Sequence, residues 1–210
     1  MLILNKLVLG SFKVNCYILS MDGAVIIIDP GGDFPCIEKY LKNENIEPDF
    51  ILNTHGHYDH ISAVPDLISN YNIPFYIHKF EEPIIKDPEK NLSSFFSKNG
   101  LSLETYNLLE KDEYKNFNNL GIEIINTPGH TPGSIILKYK NFLFTGDLLF
   151  KNGIGRTDLY GGNTDEIRNS LRSLKKMDKD LIVYPGHGED TSLKSEFKTN
   201  YYLQDSFLID

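Results

Sequence analysis

The residues best suited to chemistry in this chain are histidines and aspartates gathered at turns. Of six histidines, five lie in three Gly-flanked segments: Thr54-His55-Gly56-His57-Tyr58-Asp59-His60, Thr127-Pro128-Gly129-His130-Thr131-Pro132-Gly133 and Pro185-Gly186-His187-Gly188. Each segment follows a run that reads as a strand. A histidine that only fills space has no reason to seek strand ends, whereas a metal site assembled from several loops at one edge of a sheet needs that placement. His55 and His57 stand two apart on an extended stretch, so their side chains point to one side. Asp59 and His60 fall where the chain turns into a helix and aim at a second point. Alone, Asp59 would read as a helix N-cap; among three histidines it reads as a ligand. Asp147 follows a strand through Gly146, where a carboxylate can bridge two cations with its two oxygens; the plain alternative is an Asp that stabilises a turn.

Five imidazoles with two or three carboxylates and no thiolate match borderline ions such as zinc, iron or manganese. The seven residues His55, His57, Asp59, His60, His130, Asp147 and His187 exceed the three or four ligands usual for one catalytic ion. Two divalent ions with a shared solvent are therefore expected, zinc first and iron or manganese as alternatives. His78 follows an apolar strand without a Gly or Pro turn and reads as structural. Cys16 and Cys36 show no metal or redox spacing and read as plain thiols of a reducing cytoplasm.

The elements that must position these residues follow from periodicity. Strands are expected at 4–9, 14–19 and 24–29, separated by turn signals at Gly10-Ser11 and Asp22-Gly23, then a helix over 35–43 with Ile37, Tyr40 and Leu41 on one face. A brief strand at 50–52 runs into the first histidine cluster, after which Ile61, Val64, Leu67 and Ile68 restore helical spacing. A strand is expected at 75–77, and the polar stretch 81–100 reads as two short helices or a loop. A second set of strands is expected at 121–126, 134–139 and 142–145. Asn163 or Thr164, followed by Asp165 and Glu166, then caps a helix to about Met177, a strand covers 181–184, and a last helix runs from Thr191 to about Tyr202. This order predicts two similar halves whose sheets pack face to face with helices outside, a four-layer α/β arrangement within one domain over 1–210.

The formal charge of -8 over 210 residues opposes a polyanion as main partner, so no nucleic-acid partner is expected. No secretory leader is read at the N-terminus. The longest apolar run, Ala24 to Ile28, is far short of the roughly 20 residues that span a bilayer. A small-molecule substrate is expected, on a monomer or small homo-oligomer in the cytoplasm, with no membrane partner.

The run Thr54 to His60, with His130, Asp147 and His187 following in order, resembles the metallo-β-lactamase superfamily and, within it, the glyoxalase II-like hydrolases. The resemblance extends from the first strands to His187. It implies the αβ/βα sandwich, two packed mixed sheets with outer helices. It further implies that His55, His57 and His130 hold one metal, that Asp59, His60 and His187 hold the other, and that Asp147 bridges them. The implied reaction is attack of a metal-bridging hydroxide on a carbonyl, with Asp59 steering the nucleophile's proton. True β-lactamases of this fold usually carry a Cys where Asp147 stands, which sets this chain apart from them.

The resemblance also implies a thioester substrate such as an S-acylglutathione. Arg156, in Gly153-Ile154-Gly155-Arg156-Thr157-Asp158, matches the family's basic substrate-binding position and could pair with a carboxylate, or could instead pin its own loop through an internal salt bridge. Two features depart from the glutathione pattern: Asp158 replaces an aromatic residue, and only 188–210 follow the last ligand. Persulfide dioxygenases, which are similar in length and also carry a Gly-Arg-Thr-Asp segment, supply a second reading. There one iron would be held by His57 or His55, His130 and Asp147. A non-catalytic metal-binding module is a third reading, and it predicts a lost ligand; none is missing.

Overall fold

The computed structural model describes residues 2–21 and 23–209; the turn expected at Asp22-Gly23 thus falls partly outside the described residues. The chain divides into two compact units, 1–110 and 111–210. Each is a sheet with helices, as the two-halves reading expects.

The first unit opens with β1 (Ile3–Leu9), β2 (Val14–Met21) and β3 (Ala24–Ile28), an antiparallel run. Helix α1 (Phe34–Glu44) then crosses over to β4 (Phe50–Leu52), which pairs parallel with β3. Pro35 suits the first turn of α1, where a missing N–H costs nothing. Short α2 (Tyr58–Ile61) and α3 (Val64–Tyr71) lead to β5 (Phe75–His78), and β6 (Asn107–Leu109) closes a six-stranded mixed sheet in the order β1-β2-β3-β4-β5-β6. The core forms because Ile18, Ile27, Ile51 and Phe75 of the strands meet Ile37 and Leu41 of α1 and Val64 and Leu67 of α3. Helix α4 (Glu82–Ile85) and a 3-10 turn at Ser93–Phe95 occupy the polar stretch.

The second unit repeats this order. After α5 (Tyr114–Asn119), strands β7 (Ile122–Asn126), β8 (Ile135–Tyr139) and β9 (Phe142–Gly146) are antiparallel. A hairpin of β10 (Leu149–Phe150) and β11 (Gly153–Ile154) follows. Helix α6 (Thr164–Leu174) crosses to β12 (Ile182–Pro185), parallel to β9, and β13 (Thr191–Ser192) completes the order β13-β12-β9-β8-β7. Of the two expected cap residues, Asn163 is the one that caps α6, its side chain accepting from the N–H groups of Asp165 and Glu166 at 2.9 and 3.1 Å. Ile136, Leu143 and Val183 of the sheet pack on Ile167, Leu171 and Leu174 of that helix.

Two expected helices differ in extent. α6 stops at Leu174 rather than Met177, because Lys175, Lys176 and Met177 switch to bonds with the residue three before them, a tightened last turn. The helix expected from Thr191 to Tyr202 is broken into β13, α7 (Leu193–Thr199), a 3-10 turn and α8 (Asp205–Leu208), since Asn200 leaves helical geometry and its side chain accepts from the N–H of Tyr202. No described helix is long and apolar enough to cross a membrane.

Candidate metal centre

In the first unit, the chain leaves β4 at Leu52 and reaches α2 through Asn53–His57. His55, His57 and His60 are all buried, and the His55 ring centroid stands 4.9 Å from that of His57 and 4.1 Å from that of His60. One donor atom of His55 lies within 4.8 Å of one on His57, and Asp59 and His60 approach each other as closely. The N-cap position of α2 belongs to His57, and its side chain makes no cap bond. Asp59 falls inside the first turn, so the N-cap alternative is not what the structure shows.

Three residues outside the motif hold this loop. Asp29 adopts φ 51°, a left-handed conformation that Asp tolerates better than most, and is buried. Its carboxylate accepts from the Thr54 N–H at 2.8 Å and the Thr54 hydroxyl at 2.6 Å, and one of its oxygens stands 3.1 Å from His60 Nδ1. Asn53 Nδ2 donates to the His60 carbonyl at 2.7 Å. Buried Glu81 accepts the N–H of Gly56, between the two histidines, at 2.7 Å. Gly31 is equally constrained: a Cβ there would fall 1.3 Å from the Asp59 carbonyl oxygen.

In the second unit, His130 sits in the turn after β7, Asp147 directly after β9 and His187 after β12, one residue further on past Gly186. Parallel β9 and β12 therefore deliver Asp147 and His187 to one end of the sheet. His130 Nε2 is 3.6 Å from one oxygen of Asp147, and His187 Nε2 is 3.8 Å from the other. Direct hydrogen bonds run roughly 2.7–3.2 Å, whereas two donors about 2.1 Å from a shared tetrahedral ion stand roughly 3.4 Å apart. The carboxylate faces a different imidazole with each oxygen, and both spacings suit an intervening cation. The donor set, all nitrogen and oxygen, fits a borderline divalent ion.

The Gly-rich loop after β11 braces these ligands. His130 Nδ1 is 2.7 Å from the Arg156 carbonyl oxygen. A carbonyl can only accept, so the proton is on Nδ1, and Nε2, which faces Asp147, is the nitrogen that could coordinate a cation. Gly155 lies so close that a Cβ would meet the Asp147 carbonyl oxygen at 1.9 Å. The Arg156 guanidinium is held two-pronged by Asp158, Nε to Oδ1 at 2.7 Å and a terminal nitrogen to Oδ2 at 2.8 Å, so of the two sequence readings the internal salt bridge is present. A cavity of about 440 Å³ opens beside His187, lined by Phe150, Lys151, Asn152 and Glu189.

His78 is buried at the end of β5, where Nδ1 accepts from the Phe80 N–H at 3.4 Å, in agreement with a structural role. Cys16 is buried and Cys36 exposed, both as thiols. The sequence reading missed Asp29, Glu81 and the Arg156 carbonyl. Only Asp29 carried a signal: a carboxylate at a strand end, immediately before Pro30-Gly31-Gly32.

Comparison with known proteins places these residues in a family context. The metallo-beta-lactamase superfamily model matches residues 9–187. The probable metallo-hydrolase YqgX of Bacillus subtilis is 34% identical over 205 residues, covering 95% of this chain and 96% of that protein. The hydroxyacylglutathione hydrolase GloC of Haemophilus influenzae is 30% identical, covering 92% of this chain and 94% of its own. Among solved structures, BLEG-1, a B3 metallo-beta-lactamase, superposes with a TM-score of 0.86 at 34% identity over 96% of this chain and 99% of that one. TTHA1623 in a di-iron-bound form gives 0.87 at 28% over 95% and 100%. ETHE1 from Myxococcus xanthus gives 0.72 at 25% over 95% and 83%. A β-lactamase thus stands among the similar proteins, so the separation from lactamases expected at Asp147 does not extend to overall likeness.

Proposed function

The chain belongs to the metallo-beta-lactamase superfamily, a metal-dependent hydrolase family, and on that premise we propose that it is a binuclear thioester hydrolase of the glyoxalase II type. The observation that carries the reading is Asp147, whose two oxygens face His130 and His187 separately. In this reading 1–210 acts as one domain. His55, His57 and His130 would hold one ion, Asp59, His60 and His187 the other, and Asp147 would be shared between them, with zinc the first candidate. When bound, such ions supply Lewis-acid polarisation of a carbonyl and a solvent nucleophile at neutral pH. The chain's own groups do the rest. The Arg156 carbonyl orients His130 and sets the proton on its Nδ1, and the Asp29 carboxylate stands 3.1 Å from His60 Nδ1. Asp59, in the first turn of α2, takes up the nucleophile's proton on a carboxylate oxygen. Arg156 faces the substrate from the loop after β11.

The similarity to GloC supports an S-acylglutathione-like thioester. The net charge of -8 supports a small molecule over nucleic acid, and two free thiols suit a reducing cytoplasm, where the chain acts as a monomer or small homo-oligomer. The likeness to ETHE1 favours one rival, a mononuclear iron enzyme using His57 or His55, His130 and Asp147.

Metal analysis of protein purified without added zinc, coupled to turnover of thioester, lactone, β-lactam and glutathione persulfide, decides between them. We expect two ions per chain, thioester cleavage, and roughly 10³-fold loss in Asp147→Ala, since ion-based stabilisation is worth several kcal/mol. One iron with oxygen uptake on persulfide, or a β-lactam turned over faster than any thioester, overturns the reading.

A further inference from the structure

Of the candidate ligands in the second unit, His187 stands most in the open: its side chain is 27% exposed, against 3% for His130. Gly186 and Gly188 flank it, and a Cβ on Gly188 would meet nothing within 4 Å. The Phe150 ring meets the imidazole edge-on, with centroids 6.0 Å apart. The loop that carries His187 and the hairpin that carries Phe150 are both tied to one carboxylate, that of Glu196 in the first turn of α7, which is buried. Its Oε1 accepts from the Thr191 hydroxyl at 2.7 Å, at the far end of the His187 loop. Its Oε2 accepts from the Asn152 N–H at 2.8 Å, at the tip of the β10–β11 hairpin, and from Asn200 Nδ2 at 2.9 Å. The same Asn200 nitrogen stands 3.3 and 3.2 Å from the Phe150 and Gly153 carbonyl oxygens, and the Asn152 side chain accepts from the Thr199 hydroxyl at 2.9 Å. An exposed ion pair between Lys151 and Glu189 also joins the two segments.

We infer that Glu196 is a positioning residue for His187, acting through Thr191 on one side and through Asn152 and Phe150 on the other, and that it sets the affinity of the ion His187 helps to hold. The inference rests on the two-ion reading above and deepens it. An imidazole binds a cation strongly only when its ring is held to within about half an ångström of the productive geometry by the groups around it. For a ring open on one side, that restraint must come from the segments on the others. Oxygens of a buried carboxylate are costly to leave without donors, so Glu196 holds both segments at once and the bracket stays closed.

Stepwise dissociation constants for zinc, read by competition with a chromogenic chelator, supply the test, and His187→Ala identifies the step that needs His187. Glu196→Ala should raise that same constant about 10–100-fold, the usual cost of losing an outer support of a ligating histidine, and leave the other within about twofold. Glu196→Gln should recover most of the loss, because its amide oxygen still accepts from Asn152 and Asn200 while its amide nitrogen donates to a Thr191 hydroxyl turned to accept. Phe150→Ala removes the ring but keeps the carbonyl that Asn200 binds. It should weaken the His187 step by about tenfold, and it carries the test if Glu196→Ala does not fold. A merely structural role for Glu196 would weaken both steps together. Equal weakening of the two steps, Glu196→Gln as weak as Glu196→Ala, or an unaltered His187 step in Phe150→Ala overturns the inference. If wild-type protein holds a single ion, the two-ion reading fails and this inference with it; if it holds two and these variants leave the His187 step untouched, this inference alone fails.

Discussion

Gly56, set between the candidate ligands His55 and His57, donates its backbone N–H to the buried carboxylate of Glu81 at 2.7 Å. The contact ties the histidine loop to the 3-10 turn after β5, and Gly56 has no room for a side chain: a Cβ would meet Ile85 at 2.8 Å. Glu81→Ala should destabilise the fold by about 1.5–3 kcal/mol, the range for a hydrogen bond to a charged group, and lower the metal content. Glu81→Gln, whose amide oxygen still accepts, should recover part of both. Urea midpoints and metal analysis read the two effects; an alanine variant with full metal and an unshifted midpoint would refute the bracing role.

Asp29 acts on the same loop from the position just after β3. Its oxygens accept both Thr54 donors and approach His60 Nδ1. Asp29→Ala should weaken metal binding by about 10–100-fold, the usual cost of removing an outer partner of a metal-ligating histidine. Competition with a chromogenic chelator measures this, and an unchanged affinity would remove Asp29 from the centre's support.

Gly155 permits the loop after β11 to lie on the Asp147 backbone. Gly155→Ala would place a Cβ 1.9 Å from a carbonyl oxygen, which cannot yield as a flexible side chain does. Overpacking of this kind costs about 1–3 kcal/mol, and here the displacement falls on Asp147 and His130. The expected outcome is a lower urea midpoint together with lost metal; a variant that retains both shows that the loop can move aside.

His78 gives a pH signature independent of the metal ligands. Burial, with a smaller contribution from Lys79, pushes its imidazole below the ordinary value of 6.5, and Glu110 opposes this weakly. The folded state therefore binds the proton less readily than the unfolded chain. Its stabilising contribution is complete above the unfolded value and is lost as pH falls through the folded one. His78→Asn should therefore narrow the gap between urea midpoints measured near neutrality and about one and a half units below it. A gap equal to that of wild type would show that His78 contributes nothing to the acid sensitivity.

Much of the framework was legible because its signals are local. Alternation and turn residues located β1 to β5, β7 to β9 and β12, and the Asn163-Thr164 cap signal with its acidic first turn located α6. The elements that escaped are those too short to show a period. β10 and β11 have two residues each, and β6 and α5 bury chiefly Leu109 and Phe117. Thr191–Tyr202 looked like one helix because a break imposed by Asn200 depends on contacts that residue makes 50 positions away, with the Phe150 carbonyl.

By itself the sequence determined the kind of centre: imidazoles and carboxylates at the ends of strands, with glycines and prolines to hold the turns. The tertiary structure alone decided which atoms orient those ligands. Asp29 reaches Thr54 and Glu81 reaches Gly56 across 25 positions each, and the Arg156 carbonyl reaches His130 across 26. Residue type and periodicity are written along the chain, whereas a hydrogen bond between distant segments exists only once hydrophobic packing has set the register of the strands that carry them.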